Sequence, residues 1–158
     1  MNKYFLAVAM TASLIAVPAQ AKSMKCPVVT QTQVDGLFTE FNNAWATKDP
    51  SKVTALFTKD AVLLATVSNT PRTTAPEIND YFVKFLQNNP VGTVNTSTYK
   101  MSCNSVARVG TWTVTFTDAA TGAKSDVKAR YSFIYRQEGG KWKIDHLHSS
   151  MMPEKTRG

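Results

Sequence analysis

His146 and His148, the chain's two histidines, are the residues best suited to chemistry. Imidazole titrates near neutral pH, so either ring can act as a general acid or base. Two imidazoles on one side of a strand are also half of a tetrahedral zinc set. The sequence places no third ligand beside them, so no metal is assigned. Asp145 lies between the two and points the opposite way, which leaves the pair without an orienting acid and without an assigned catalytic residue. Arg72, directly after Pro71, can hold a carboxylate through paired hydrogen bonds or serve as a solvated turn residue. Trp45, Tyr81, Tyr131 and Phe133 supply enough aromatic surface to enclose a small apolar or amphipathic molecule, or to form core. Together with Thr113 these are the candidate ligand-pocket residues, and no cofactor is implied.

The histidines must be positioned by a hairpin. Residues 129–136 and 142–149 read as two strands around the Gly139-Gly140 turn. With Glu138 and Lys141 flanking the turn, Tyr135 faces Ile144, Phe133 faces His146 and Tyr131 faces His148. One face is then aromatic, aliphatic and imidazole, while Arg130, Ile134, Leu147 and Ser149 share the other. A one-residue slip reverses these assignments.

Upstream, Val34, Leu37, Phe38, Phe41 and Trp45 repeat at helical spacing behind a Thr30/Gln33 capping box. Asp49-Pro50 restarts a helix, and Thr74 with Glu77 caps a third that carries Ile78, Tyr81, Phe82 and Phe85. A strand over 61–67 lies between them. After Pro90 the composition turns to threonine, valine and aromatics, with strands over 94–105, 109–117, 126–136 and 142–149. Helices followed by a meandering sheet give an α+β fold, with three N-terminal helices packed on a curved antiparallel sheet. Trp112, Val114 and Phe116 alternate with Thr111, Thr113 and Thr115. If the threonines line the cavity, the larger side chains lie outside and need covering, so Trp112, Phe116, Arg130 and Leu147 are the candidate dimer contacts.

Residues 1–21 have the pattern of an export signal: Lys3, an apolar run, then Ala19-Gln-Ala21. Removal leaves one domain over 22–158, periplasmic or secreted. The apolar run is too short for a comfortable membrane span, and no later stretch is longer, so no membrane insertion is expected. The formal charge of +7 is scattered along the chain, without the basic stripe that nucleic acid requires. Cys26 and Cys103 are the only cysteines, and in an oxidising compartment a single disulfide is the favoured reading over two buried thiols.

Several segments carry a resemblance: Gly110-Thr-Trp-Thr-Val-Thr-Phe116, Ile78 to Leu86, Ala61 to Arg72, and above all Trp142-Lys-Ile-Asp-His-Leu-His-Ser-Ser150 with Pro153. From Thr30 to Pro153 the chain resembles bacterial stand-alone relatives of the calcium/calmodulin-dependent protein kinase II association domain, in the nuclear transport factor 2-like superfamily. The resemblance implies a cone, with a curved sheet wrapped around the first helix over a deep cavity. It also implies homodimers formed through the outer sheet face, from which the kinase hub builds larger rings. Without a kinase domain, neither kinase activity nor calmodulin binding follows. The hub lines its cavity with arginines, and this chain has Thr113 and Phe133 where those fall. Enzymes of the superfamily usually place an aspartate inside the cone, and none is evident here. The leading expectation is therefore an exported, homo-oligomerising protein that binds a small ligand without assigned catalysis. The alternative is a cofactor-free isomerase, cyclase or lyase using His146 or His148. A third is a purely structural assembly module whose pocket is filled by its own aromatics.

Overall fold

Thr30 and Gln33 cap the first helix reciprocally: the Gln33 N–H donates to Thr30 Oγ1 at 3.2 Å, and the Thr30 N–H donates to Gln33 Oε1 at 2.8 Å. Helix α1 then runs over Gln31–Ala46. Asp49 caps α2, Pro50–Thr54, by accepting from the Ser51 N–H at 2.9 Å. Thr74 and Glu77 form the second reciprocal cap, on α3, Ala75–Phe85. These caps satisfy donors that helix geometry leaves unpaired. The computed structural model describes Cys26 and residues 29–153, so the expected export signal over 1–21 lies outside the described residues. No helix among the described residues is long and apolar enough to cross a membrane.

Five strands follow the expected chain order: β1 Phe57–Leu64, β2 Val91–Ser102, β3 Ser105–Thr117, β4 Lys124–Glu138 and β5 Lys141–Met151. They form one curved, unclosed sheet in the order β1-β5-β4-β3-β2. Strands β2 to β5 pair antiparallel through three successive hairpins. The sheet is mixed rather than purely antiparallel, because β1 lies parallel to β5 at one edge. Strand β1 leaves through α3 instead of a tight turn, and only a crossover of that length frees it from hairpin pairing.

Cys26 is bonded to Cys103, 77 residues away, which ties the start of the described chain to the β2–β3 turn. Closing a loop of that length removes denatured-state entropy worth about 4 kcal/mol. Cys26→Ser is expected to lower the unfolding free energy from urea titration by a comparable amount, and an unchanged value would show that the bridge contributes nothing.

The helices cover one face of the sheet, and the space between is packed with aromatic rings. Phe41 of α1 is fully buried and has ring centroids of Trp45, Phe57, Phe82 and Phe133 at 4.8, 6.2, 6.2 and 5.4 Å. Phe133 in turn meets Trp112 edge-on at 5.9 Å and stacks against Tyr135 at 5.7 Å. Most of these pairs have the offset or edge-to-face geometry that ring quadrupoles favour. Gly110 is needed on β3, since a Cβ there would sit 2.0 Å from the Thr96 carbonyl oxygen of β2.

The β4–β5 pairing differs from strict alternation at one residue. Tyr135 opposes Ile144 as expected, but Ile134 then opposes His146, Phe133 opposes Leu147, Ser132 opposes His148 and Tyr131 opposes Ser149. Asp145 is the extra residue of a β-bulge, which reverses the facing of everything beyond it. Its carboxylate is anchored where it sits, accepting from Arg136 Nε at 2.9 Å and Thr58 Oγ1 at 3.1 Å. Leu147 and Ser149 therefore point into the core, and His146 and His148 point out.

Candidate functional site

Of the expected pocket residues, Trp45, Tyr81, Tyr131 and Phe133 lie on the helix-covered side. Trp45 from the last turn of α1, Tyr81 and Phe85 from α3, and Trp112 and Phe116 from β3 surround a cavity of about 20 Å³. That space holds roughly one water molecule. Trp112 Nε1 donates to Ser149 Oγ at 3.0 Å across it, whereas Trp45 Nε1 is buried without a protein partner. Tyr131 is spent on structure, its hydroxyl donating to the Thr96 carbonyl at 2.9 Å.

Tyr81, Phe85, Phe116 and Val67 separate this small cavity from an open groove of about 510 Å³ at the α3 end. Arg72, Asp80 and Lys84 bring charge to the groove. The Arg72 guanidinium lies 5.9 Å from the Tyr81 ring centroid and folds back on its own turn, Nη1 donating to the Thr70 carbonyl at 2.6 Å. Burial pushes the Tyr81 hydroxyl well above its ordinary range, with Arg72 partly opposing the shift. Burial does the same to Tyr135. Neither phenol is prepared to give up a proton near neutral pH.

The remaining expectations about faces are corrected by the register. His146 and His148 do not enter the interior, so neither can transfer a proton there. Thr113 is on the outer face with Thr111 and Thr115, where its hydroxyl donates to Asn95 Oδ1 at 3.0 Å. Trp112 and Leu147 cannot be outer dimer contacts, being 2% and 3% exposed and inside. The larger side chains of β3 face the helices because only they fill the space the threonines would leave empty. Phe116 lies at the groove, and Arg130 alone of the four candidates is exposed on the outer face.

Cross-strand pairing arranges that outer face in rows. Val62, His146, Ile134 and Ala107 form one, and Leu64, His148, Ser132, Val109 and Thr98 form the next. These two rows carry no formal charge except at Lys100, where the first row reaches β2. On one side they are bounded by Arg136, which bridges Asp145 at 2.8 Å and Asp60 at 2.6 Å. On the other side lie Arg130, Lys128 and Asp126. Burial draws the His146 imidazole below its ordinary value; His148 adds to the shift, while Asp145 and a backbone hydrogen bond at Val62 oppose it.

Sequence reasoning missed Arg108, which is 4% exposed beneath α1. Its guanidinium pairs with Asp35 at 3.0 Å, donates from Nε to Ser97 Oγ at 3.1 Å and lies 4.9 Å from the Phe38 ring centroid. The Tyr99 hydroxyl donates to the same Asp35 carboxylate. A buried guanidinium with an ion-pair partner and stacked rings is a structural brace at this end of the core. The signal was present in the sequence, because Arg108 shares the parity of Val106, Trp112 and Val114 along β3.

Comparison with known proteins agrees with this architecture. A solved structure of a calcium/calmodulin dependent protein kinase II association domain candidate from Xanthomonas campestris is 41% identical, covering 89% of this chain and 95% of that one, with a TM-score of 0.75. A candidate dehydratase of the nuclear transport factor 2-like family from Streptomyces avermitilis, 11% identical over 78% of this chain and 97% of its own, has a TM-score of 0.70. A nuclear transport factor 2-like superfamily protein from Salmonella enterica, 14% identical over 80% of this chain and 92% of its own, has a TM-score of 0.67. The latter two share the fold alone. The search of curated proteins finds no match. The model of the calcium/calmodulin dependent protein kinase II association domain matches residues 30–153, and the chain belongs to that family.

Proposed function

We propose that this protein is a self-associating module whose copies join through the outer face of the sheet, while its interior is filled by its own aromatic side chains. One observation carries the reading: the two rows centred on Ile134, His146 and His148, uncharged from β1 across to β3, with charged residues on either side. A desolvated centre with a polar rim is the anatomy of a protein–protein contact. Membership of an association-domain family supports the same conclusion. Sedimentation equilibrium is expected to return twice the chain mass or a multiple of it. A monomer throughout the micromolar range would refute the reading.

The groove at the α3 end supports a second, compatible role in holding a small amphipathic anion. Arg72 and Lys84 outnumber Asp80 there, and the unpartnered Trp45 Nε1 in the adjoining cavity offers a donor to a ligand or a water. A medium-chain carboxylate is expected to raise the melting temperature, and Lys84→Glu to abolish the rise. No shift in the unmodified protein would remove this role and leave self-association untouched. Export to an oxidising compartment belongs to the same proposal, supported by the Cys26–Cys103 bridge.

A further inference from the structure

We propose that His146 and His148 make self-association pH-sensitive, holding copies together while the imidazoles are neutral and releasing them when protonated. This rests on the reading of the outer sheet face as the contact between copies. The argument begins with position. His146 stands between Val62 of β1 and Ile134 of β4, and His148 between Leu64 and Ser132, so the only titratable side chains in the interior of the uncharged rows are these two.

The neighbouring charges do not offer a protonated imidazole a free counter-ion. On β1 and β5 the carboxylates are Asp60 and Asp145, and both are held by Arg136 of β4. Lys143 of β5 pairs with Glu138 at 3.4 Å. Further along β4, Arg130 and Lys128 are cationic, and Asp126 accepts from the Thr115 hydroxyl at 2.6 Å. Strand β3 contributes Ala107 and Val109 to the rows, and β2 contributes Lys100 and Thr98. The Arg136 side thus carries one net negative charge, its two carboxylates sharing a single guanidinium, and the Arg130 side one net positive charge.

A twofold contact presents the same patch from both copies, so up to four imidazoles share one interface. Desolvation and mutual repulsion disfavour their charged forms there. The burial-driven lowering at His146 is already present in a single copy, so the part of the dependence that His146 carries lies toward lower pH. The sign follows from proton counting: the associated state binds fewer protons, so association strengthens with rising pH and weakens as pH falls and the free copies take up protons, which for His146 happens below the ordinary imidazole value of 6.5.

The test is sedimentation equilibrium at about pH 7.5 and about pH 5.5, at constant ionic strength and with a chelator present so that no metal bridges the histidines. The dissociation constant is expected to rise about 100-fold at the lower pH, the effect of two imidazoles kept neutral on association, each contributing about tenfold over one pH unit. The H146Q/H148Q double variant, neutral at both values, is expected to associate equally at both. If the double variant fails to fold by near-ultraviolet circular dichroism, H148Q alone is used, because His148 is exposed, and a smaller pH effect is expected. An unmodified protein that associates equally at both pH values overturns the switch and leaves self-association standing. A monomer at both pH values overturns self-association itself. A folded double variant that still dissociates in acid overturns the assignment to these histidines.

Discussion

Ile134→Asp is expected to separate the copies while leaving each one folded. Ile134 lies on the outer face between Ala107 and His146, half-buried within a single chain and at the centre of the uncharged rows. A carboxylate there is desolvated on association without a partner, and twofold symmetry makes every contact count twice. With about 2 kcal/mol lost at each copy, the dissociation constant should rise about 1,000-fold. The cost to the monomer should stay near 1 kcal/mol because the side chain is not part of the core. Val83→Asp provides the control, since Val83 is 44% exposed on α3, remote from the sheet face, and its substitution is expected to leave the mass unchanged. If Val83→Asp dissociated the protein and Ile134→Asp did not, the contact would lie on the helices.

Phe41→Ala is expected to cost about 3–5 kcal/mol, read as a fall in the urea midpoint at unchanged slope. Phe41 touches rings from α1, β1, α3 and β4, so the elements packed around it prevent the gap from collapsing. The vacated space adds to a cavity that now admits only about one water, and an apolar pocket of that kind takes up benzene or xenon. The variant should therefore recover part of its lost stability when benzene is added. A cost below about 1 kcal/mol would mean that the interior is loosely filled, and would favour a ligand-holding cone over an assembly module.

The helices were legible because their signals are local. Thr30 with Gln33, Asp49 with Pro50, and Thr74 with Glu77 each fix a start within four residues, and the structure has all three. The strands after Pro90 were legible from β-branched and aromatic composition. What escaped was facing, which depends on one inserted residue. Alternation carried on from Ile144 puts both histidines inside, and Asp145 has no local mark as a bulge. The clue was the spacing of Ile144 and Leu147: two apolar residues three apart cannot both face the core of an unbroken strand. A similar irregularity occurs on β2 around Asn95, between Val94 and Thr96. The threonine and aromatic sides of β3 were also ambiguous, since alternation alone does not say which side is in. Volume decides it: Trp112 and Val114 fill the space under α1, and the hydroxyls outside meet water or a second copy.

The bulge moves the two candidate pocket histidines onto the face proposed for self-association, so the most direct measurement is of histidine accessibility against protein concentration. Diethyl pyrocarbonate labelling near neutral pH, mapped by peptide mass, distinguishes the arrangements. The outward facing of the rings together with the proposed self-association predicts that His146 and His148 are modified readily in dilute protein and become protected together as the mass measured in parallel doubles. Protection at every concentration, with the protein monomeric when dilute, would place the rings inside the cone and contradict the bulged register. Reactivity that never falls as copies assemble would show that the outer face stays uncovered and that the copies meet elsewhere.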